Sequence, residues 1–180
     1  VDDWLAAVIV LAAFFSMLAP MLADFETYGF HDWDVHTAYR YVTVQSLKEY
    51  GQAPFWHAFL CGGVPAFGHV EGATNLVSPY LPLYLLTDER TAIRLEVVGN
   101  GLIGLLGASL LAARYTRSAA LRALFALLFV VNGRWALQAA VGHTWHLQYA
   151  WTPWVFLLFL RASEEGPLRR AIWAGVVLAG

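Results

Sequence analysis

The stretch WLAAVIVLAAFFSMLAPMLA, residues 4–23, decides the fold. It carries no charge, and as an α-helix it would extend about 30 Å at 1.5 Å per residue, the thickness of the hydrocarbon core of a bilayer. A cleaved signal peptide is the alternative. That would have a shorter apolar region, roughly 7–15 residues, and a basic flank, whereas Asp2 and Asp3 precede this one. The stretch therefore reads as a membrane span.

The rest of the chain repeats the pattern. Hydrophobic residues make up 59% and charged residues 13% of it, with a mean hydropathy of +0.54, more apolar than a soluble surface of this size tolerates. Further spans are expected at about 97–113, at 121–141 with an interruption at Asn132-Gly133-Arg134, and at 144–160, where Pro153 is tolerable in a transmembrane helix. Residues 171–180 read as a truncated fifth. The expected fold is all-α, a polytopic transmembrane helix bundle with four full spans and the start of another, and residues 1–180 read as the N-terminal part of one transmembrane domain. A net charge of −2 without a basic stripe offers no nucleic-acid surface. A lone Cys61 excludes an internal disulfide framework.

Arginines set the expected orientation, because short cytoplasmic loops carry the excess of Lys and Arg. Arg114, Arg117 and Arg122 crowd one hinge and Arg161, Arg169 and Arg170 another. Both hinges are expected on the cytoplasmic side, which puts loop 24–96 and the short segment around His143 on the exoplasmic side. All six histidines, at 31, 36, 57, 69, 143 and 146, fall in or beside those two segments, as do nine of the thirteen carboxylates. Any chemistry is expected there. Within the loop, Val35–Tyr50 carries apolar Val35, Tyr39, Val42 and Leu47 among polar residues and reads as an amphipathic helix lying on the membrane surface. Residues 51–72 are turn-rich. Residues 76–86, broken by Pro79 and Pro82, fit a re-entrant or interfacial segment. No strand is expected.

Several constellations can carry chemistry. In His31-Asp32-Trp33-Asp34-Val35-His36 the D-x-D can hold a divalent cation through hard oxygen ligands, or supply a general base beside a phosphate leaving group. The plain alternative is an acidic cap on the helix that follows. His143 and His146 share one helical face at i and i+3 and can orient a substrate, donate a proton or bind metal; a hydrogen-bonded interfacial role is the alternative. Arg134, some thirteen residues into its span, must find protein, water or a lipid phosphate, so it is either a phosphate clamp or a snorkelling side chain. Gly99-Asn100-Gly101-Leu102-Ile103-Gly104 spells G-x-G-x-x-G inside an apolar span with no strand before it, so it is not a nucleotide loop. Gly104, Ala108 and Ala112 instead make a small-residue stripe for close helix approach. Trp145, Tyr149, Trp151 and Trp154 read as an interfacial belt.

The order of these pieces resembles YfhO-like and related integral-membrane proteins of the GT-C glycosyltransferase superfamily: a first span, an outer D-x-D, a surface helix, Pro54-Phe55-Trp56, Gly62-Gly63-Val64-Pro65, Asn75-Leu76-Val77-Ser78-Pro79, then Gly142-His143 and Trp151-Thr152-Pro153. The resemblance covers residues 4 to about 170. It implies transfer of a sugar from a polyprenyl-phosphate donor to a glycan, lipid or protein acceptor at the exoplasmic face of a bacterial inner membrane. It also implies that the acidic residue of the first outer loop is the base or metal ligand, which maps onto Asp34 with Asp32 as the alternative. A Mg or Mn ion would then sit on Asp32 and Asp34, and His36, His143 and His146 would contact substrate; Arg134, on the cost of a charge within the span and not on the resemblance, is the residue expected to bind substrate and supply positive charge to the phosphate. A non-catalytic membrane protein, such as a transporter module or assembly subunit whose outer loop binds lipid or a partner, is the competing expectation.

Overall fold

The computed structural model describes residues 2–24, 29–30, 32–58, 62–66, 76, 78–165, 172–173 and 175–176. These residues are mostly helical: α1 (Asp3–Ala23), α2 (Trp33–Glu49), α3 (Leu81–Leu86), α4 (Glu89–Ala112), α5 (Ala119–Val130), α6 (Gly133–Val141), a 3-10 segment (Thr144–Trp151) and α7 (Thr152–Glu165). Among the described residues, three helical stretches are long and apolar enough to cross a membrane: α1, α4, and α5 with α6 taken together as Ala119–Val141. His31, Cys61, His69 and most of residues 171–180, including the expected start of a fifth span, lie outside the described residues.

α4 is the centre of the bundle, and its glycines show why. A Cβ on Gly101 would lie 2.0 Å from the Phe14 ring of α1, and one on Gly107 would lie 2.5 Å from the Trp154 indole of α7. A Cβ on Gly99 or Gly104 would likewise meet Tyr80 or Val130 at 2.9 Å, so the glycines of the G-x-G-x-x-G spelling, with Gly107 beyond it, are docking notches for neighbouring side chains, and Ala108 and Ala112 continue the buried stripe. Phe14, Val97, Leu105, Val130, Trp135 and Leu147 fill the core between these helices.

Side-chain contacts fix which helix ends lie together. Arg122, at the start of α5, pairs with Asp3 of α1 at 2.5 Å, and Arg114, just after α4, pairs with Glu164 of α7. The arginine-bearing hinges therefore gather at one end of the bundle. At the other end Arg94 of α4 donates to the carbonyls of Met21 and Asp24, where α1 finishes.

The interruption of the third span is built by one residue. The Asn132 side chain accepts from the Trp135 N–H at 3.0 Å as the cap of α6, while its amide N–H donates back to Phe129 O at 2.8 Å at the end of α5. One amide thereby satisfies orphan groups of both half-helices.

Four expectations need correction or refinement. Two short strands exist, β1 (Trp56–His57) and β2 (Val64–Pro65), paired antiparallel; Gly62 and Gly63, at φ +80° and +115°, supply the backbone that turns the chain there. α2 begins at Trp33, and its buried face is Trp33, His36, Tyr39, Arg40, Val42 and Thr43, so a partly polar face packs against α3 and α4. The segment expected at 76–86 is helical over Leu81–Leu86, a six-residue helix that buries Tyr84. Residues 144–160 do not form one regular helix: a 3-10 segment runs to Trp151 and α7 starts at Thr152. Pro153 has no N–H to give to the carbonyl four residues back, so a proline belongs in the first turn of a helix rather than its middle.

Candidate functional site

The backbone at the end of α6 assembles the site. A helix leaves its last carbonyls without partners, and here the loop after α1 supplies them. The Phe30 N–H and the Trp33 indole N–H both donate to Ala140 O at 3.0 Å, and the Asp32 N–H donates to Val141 O at 3.2 Å. Gly142 ends α6 at φ +91°, a left-handed C-cap. A Cβ there would also meet the Trp33 backbone at 3.0 Å, so only glycine lets the two segments lie this close. Asp32 and His143, 111 positions apart, are thereby placed side by side.

His143 is held from both ring nitrogens. Nδ1 is 2.9 Å from Gln138 Oε1, and Nε2 is 2.8 Å from Asp32 Oδ2. Asp32 is the N-cap residue of α2, yet its carboxylate makes no capping bond and turns to His143 instead. His36, one turn into α2, is buried and stands edge-on to both His143, centroids 5.6 Å apart, and Trp145, 4.0 Å apart. Trp145 stacks on His143 at 5.0 Å. One ligating atom from each of Asp32, His36 and His143 lies within 4.8 Å of the others.

Asp34 sits at the rim. It is exposed, and its Oδ1 accepts the Val35 N–H at 2.9 Å, so the D-x-D does not close on itself as a two-carboxylate pair. His146 is exposed beside His143, with ring centroids 5.6 Å apart. Arg134 is exposed in the first turn of α6 and lies over the Tyr149 ring at 5.9 Å. Its charge still reaches His146. Asp32, His36, His143 and His146 are thus gathered, Asp34 borders them, and Arg134 adjoins through His146.

Beneath this group lies a buried polar network. Arg40 of α2 faces Glu96 of α4 at 3.4 Å to both carboxylate oxygens, donates to Thr144 Oγ1, and donates to His36 O at 3.3 Å. Tyr84 donates to the same Glu96 carboxylate. Because Thr144 follows His143 directly, this one guanidinium steadies both histidine-bearing segments. Burial lowers the pKa of His36 from 6.5 to about 4, aided by the Arg40 charge and by His143 and opposed by Asp32 and Asp34. The imidazole is therefore neutral near pH 7, with a lone pair to offer.

Sequence reasoning missed Gln138, Arg40, Glu96, Thr144 and the part played by Trp145. For two of them a signal existed. Gln138 is an uncharged polar residue within an apolar span, and Glu96 stands one residue before one; polar groups at such positions are costly and usually have a partner.

With the site in place, comparison adds no relative: no protein-family model, no curated protein and no solved structure matches this chain.

Proposed function

We propose that this chain belongs to a membrane glycosyltransferase that moves a sugar from a polyprenyl-phosphate donor to a hydroxyl of a glycan, lipid or protein acceptor. The observation that carries the reading is the Asp32–His143 bond, which brings the D-x-D loop onto the end of the third span, where an acceptor and a membrane-held donor can meet. An apolar groove of about 320 Å³ between α1 and α6, lined by Met17, Leu18, Met21, Gly29, Ala136 and Ala140, adjoins the same loop and suits an isoprenoid chain.

In this scheme exposed Asp34 takes the proton of the acceptor hydroxyl, the acceptor oxygen bonds to the anomeric carbon, and the bond from that carbon to the phosphate oxygen breaks with its electron pair leaving on the polyprenyl phosphate. Arg134 offers positive charge, and His146 a hydrogen bond, to the departing phosphate. His36, His143 and Asp32 form the floor that orients the sugar and can hold a divalent ion. The finer topology of the proposal has four crossings, the 3-10 segment with α7 being the fourth, in a bacterial inner membrane with loop 24–96 outside. A membrane-impermeant maleimide should then label Cys61 in intact cells.

The decisive experiment follows radiolabelled sugar from a polyprenyl-phosphate donor in membranes carrying the full-length protein. Loss of the base in Asp34→Asn should lower transfer on the order of 100-fold or more. Undiminished transfer by that variant removes Asp34 from the mechanism. A wild-type protein that moves no sugar from any polyprenyl-phosphate donor leaves the non-catalytic membrane-subunit reading in its place.

A further inference from the structure

We propose that Asp32, His36 and His143 form a binding site for a borderline-soft divalent transition-metal ion of the zinc type, different in ligand chemistry from the Mg or Mn site that a D-x-D suggests. The inference deepens the floor of the proposed transferase site and rests on that reading only for its purpose; the binding itself is read without turnover.

Geometry comes first. The three ligating atoms lie within 4.8 Å of one another. Bonds of 2.0–2.1 Å in a tetrahedral site require ligand separations of about 3.3 Å, so the 2.8 Å between His143 Nε2 and Asp32 Oδ2 must open by roughly half an ångström and His36 must draw in by a small rotamer adjustment. The hydrogen bonds from Phe30, Asp32 and Trp33 to Ala140 and Val141 already hold the two ligand-bearing segments together.

The hydrogen-bond pattern around His143 points the same way. Gln138 Oε1 faces Nδ1 at 2.9 Å, and in the tautomer that carries its hydrogen on Nδ1 the lone pair of the imidazole is on Nε2. That lone pair faces a carboxylate oxygen, another acceptor. In that tautomer a cation can bridge the two acceptors. A histidine that donates one ring N–H to a carbonyl and presents the other nitrogen to the ion is the recurrent outer-shell arrangement of metal sites, and Gln138 fills that outer role here.

Ligand type selects the ion. Two imidazoles and one carboxylate suit Zn, Co or Ni, whereas Mg demands near-octahedral oxygen coordination and keeps several waters. Three protein ligands also leave a fourth position for water or a substrate oxygen, the pattern of zinc sites that take part in reactions. Asp34, at the rim, is not a ligand.

The test uses the untagged full chain in detergent or nanodiscs, stripped with a chelator and dialysed against Zn, Co or Mg. We expect one Zn or Co per chain, a visible cobalt absorption band of a low-coordinate site, and no displacement by excess Mg. Gln138→Ala should weaken binding roughly 10–100-fold, and His36→Ala, His143→Ala and Asp32→Asn should weaken it more, with Asp34→Asn unchanged. Should a histidine variant fail to fold, Asp32→Asn and Gln138→Ala keep the question open to measurement. Substoichiometric zinc on the wild type, equal affinity for Mg, or binding lost only in His146→Ala overturns the proposal. Zinc binding without sugar transfer sinks the transferase reading alone; transfer by the stripped, zinc-free protein with no wild-type zinc binding sinks the metal site alone.

Discussion

Arg40→Met should be among the most damaging single changes in this chain, although Arg40 is carried by α2 and not by one of the three membrane-long helices. Its side chain is 6% exposed and that of Glu96 is 5% exposed, so the pair meets almost without water. Removing one partner of such a buried pair leaves an uncompensated charge and costs about 3–5 kcal/mol. At roughly 2–4 °C per kcal/mol for a chain of this size, the midpoint should drop by about 6–20 °C. Thermal unfolding in detergent, followed by the fluorescence of the eight tryptophans, measures it. The double variant Arg40→Met, Glu96→Leu removes both charges and should recover at least half of the loss, because apolar replacement of a whole buried pair is often close to neutral. Metal or substrate binding should not recover with it, since Arg40 also holds the His36 carbonyl and Thr144. A midpoint for Arg40→Met within about 2 °C of wild type would refute the reasoning, as would a double variant no more stable than the single one.

Other substitutions test separate links. Gly142→Ala places a Cβ at φ +91° and 3.0 Å from the Trp33 backbone; it should cost about 1–3 kcal/mol in thermal unfolding and loosen the Asp32–His143 pair, seen as a shifted His143 signal in NMR, and an unshifted signal would uncouple the helix end from the site. Gly101→Leu drives a side chain into Phe14 and should destabilise by roughly 1–3 kcal/mol, with Phe14→Ala in the same chain restoring part of it; no restoration would mean the two do not share a notch. Stability should also fall on acidification between about pH 6.5 and pH 4. The folded pKa of His36 is depressed from 6.5 to about 4, so in that window the unfolded chain binds more protons than the folded one, and stability rises with pH by at most about 1.4 kcal/mol per unit. His36→Gln should flatten that slope in denaturant titrations at fixed pH values, and an unchanged slope would assign it to another group.

The three membrane-long helices were legible because their signal is composition summed over twenty residues, and lipid imposes it from outside: Trp4–Ala23 has no charge to misread. The break at Asn132 was legible for a related reason, since Asn-Gly within an apolar run is a local conflict that only a helix end resolves. The 3-10 segment was not. Thr144–Trp151 has the apolar content of a helix, and the departure comes from Pro153 and from how Trp151 and Trp154 reach Asn100 and Ile103 on α4, which are tertiary contacts without a local spelling.

The site divides along the same line. Asp32, His36, His143 and His146 stood out as residue types that are costly near lipid, and three of them do come together with Asp32. Which carboxylate of the D-x-D turns inward could not be read, because the choice depends on the donors left over at the far end of another helix. The carbonyls of Ala140 and Val141 draw the N–H groups of Phe30 and Asp32 down onto α6, and that docking faces Asp32 toward His143 while Asp34, two residues on, begins the first turn of α2 and points to solvent. A D-x-D is therefore not one feature with two equal oxygens. Its two positions differ by about 200° around a nascent helix, so when one faces the protein the other faces water, and a single loop can offer a ligand to the floor of a site and a base to its rim.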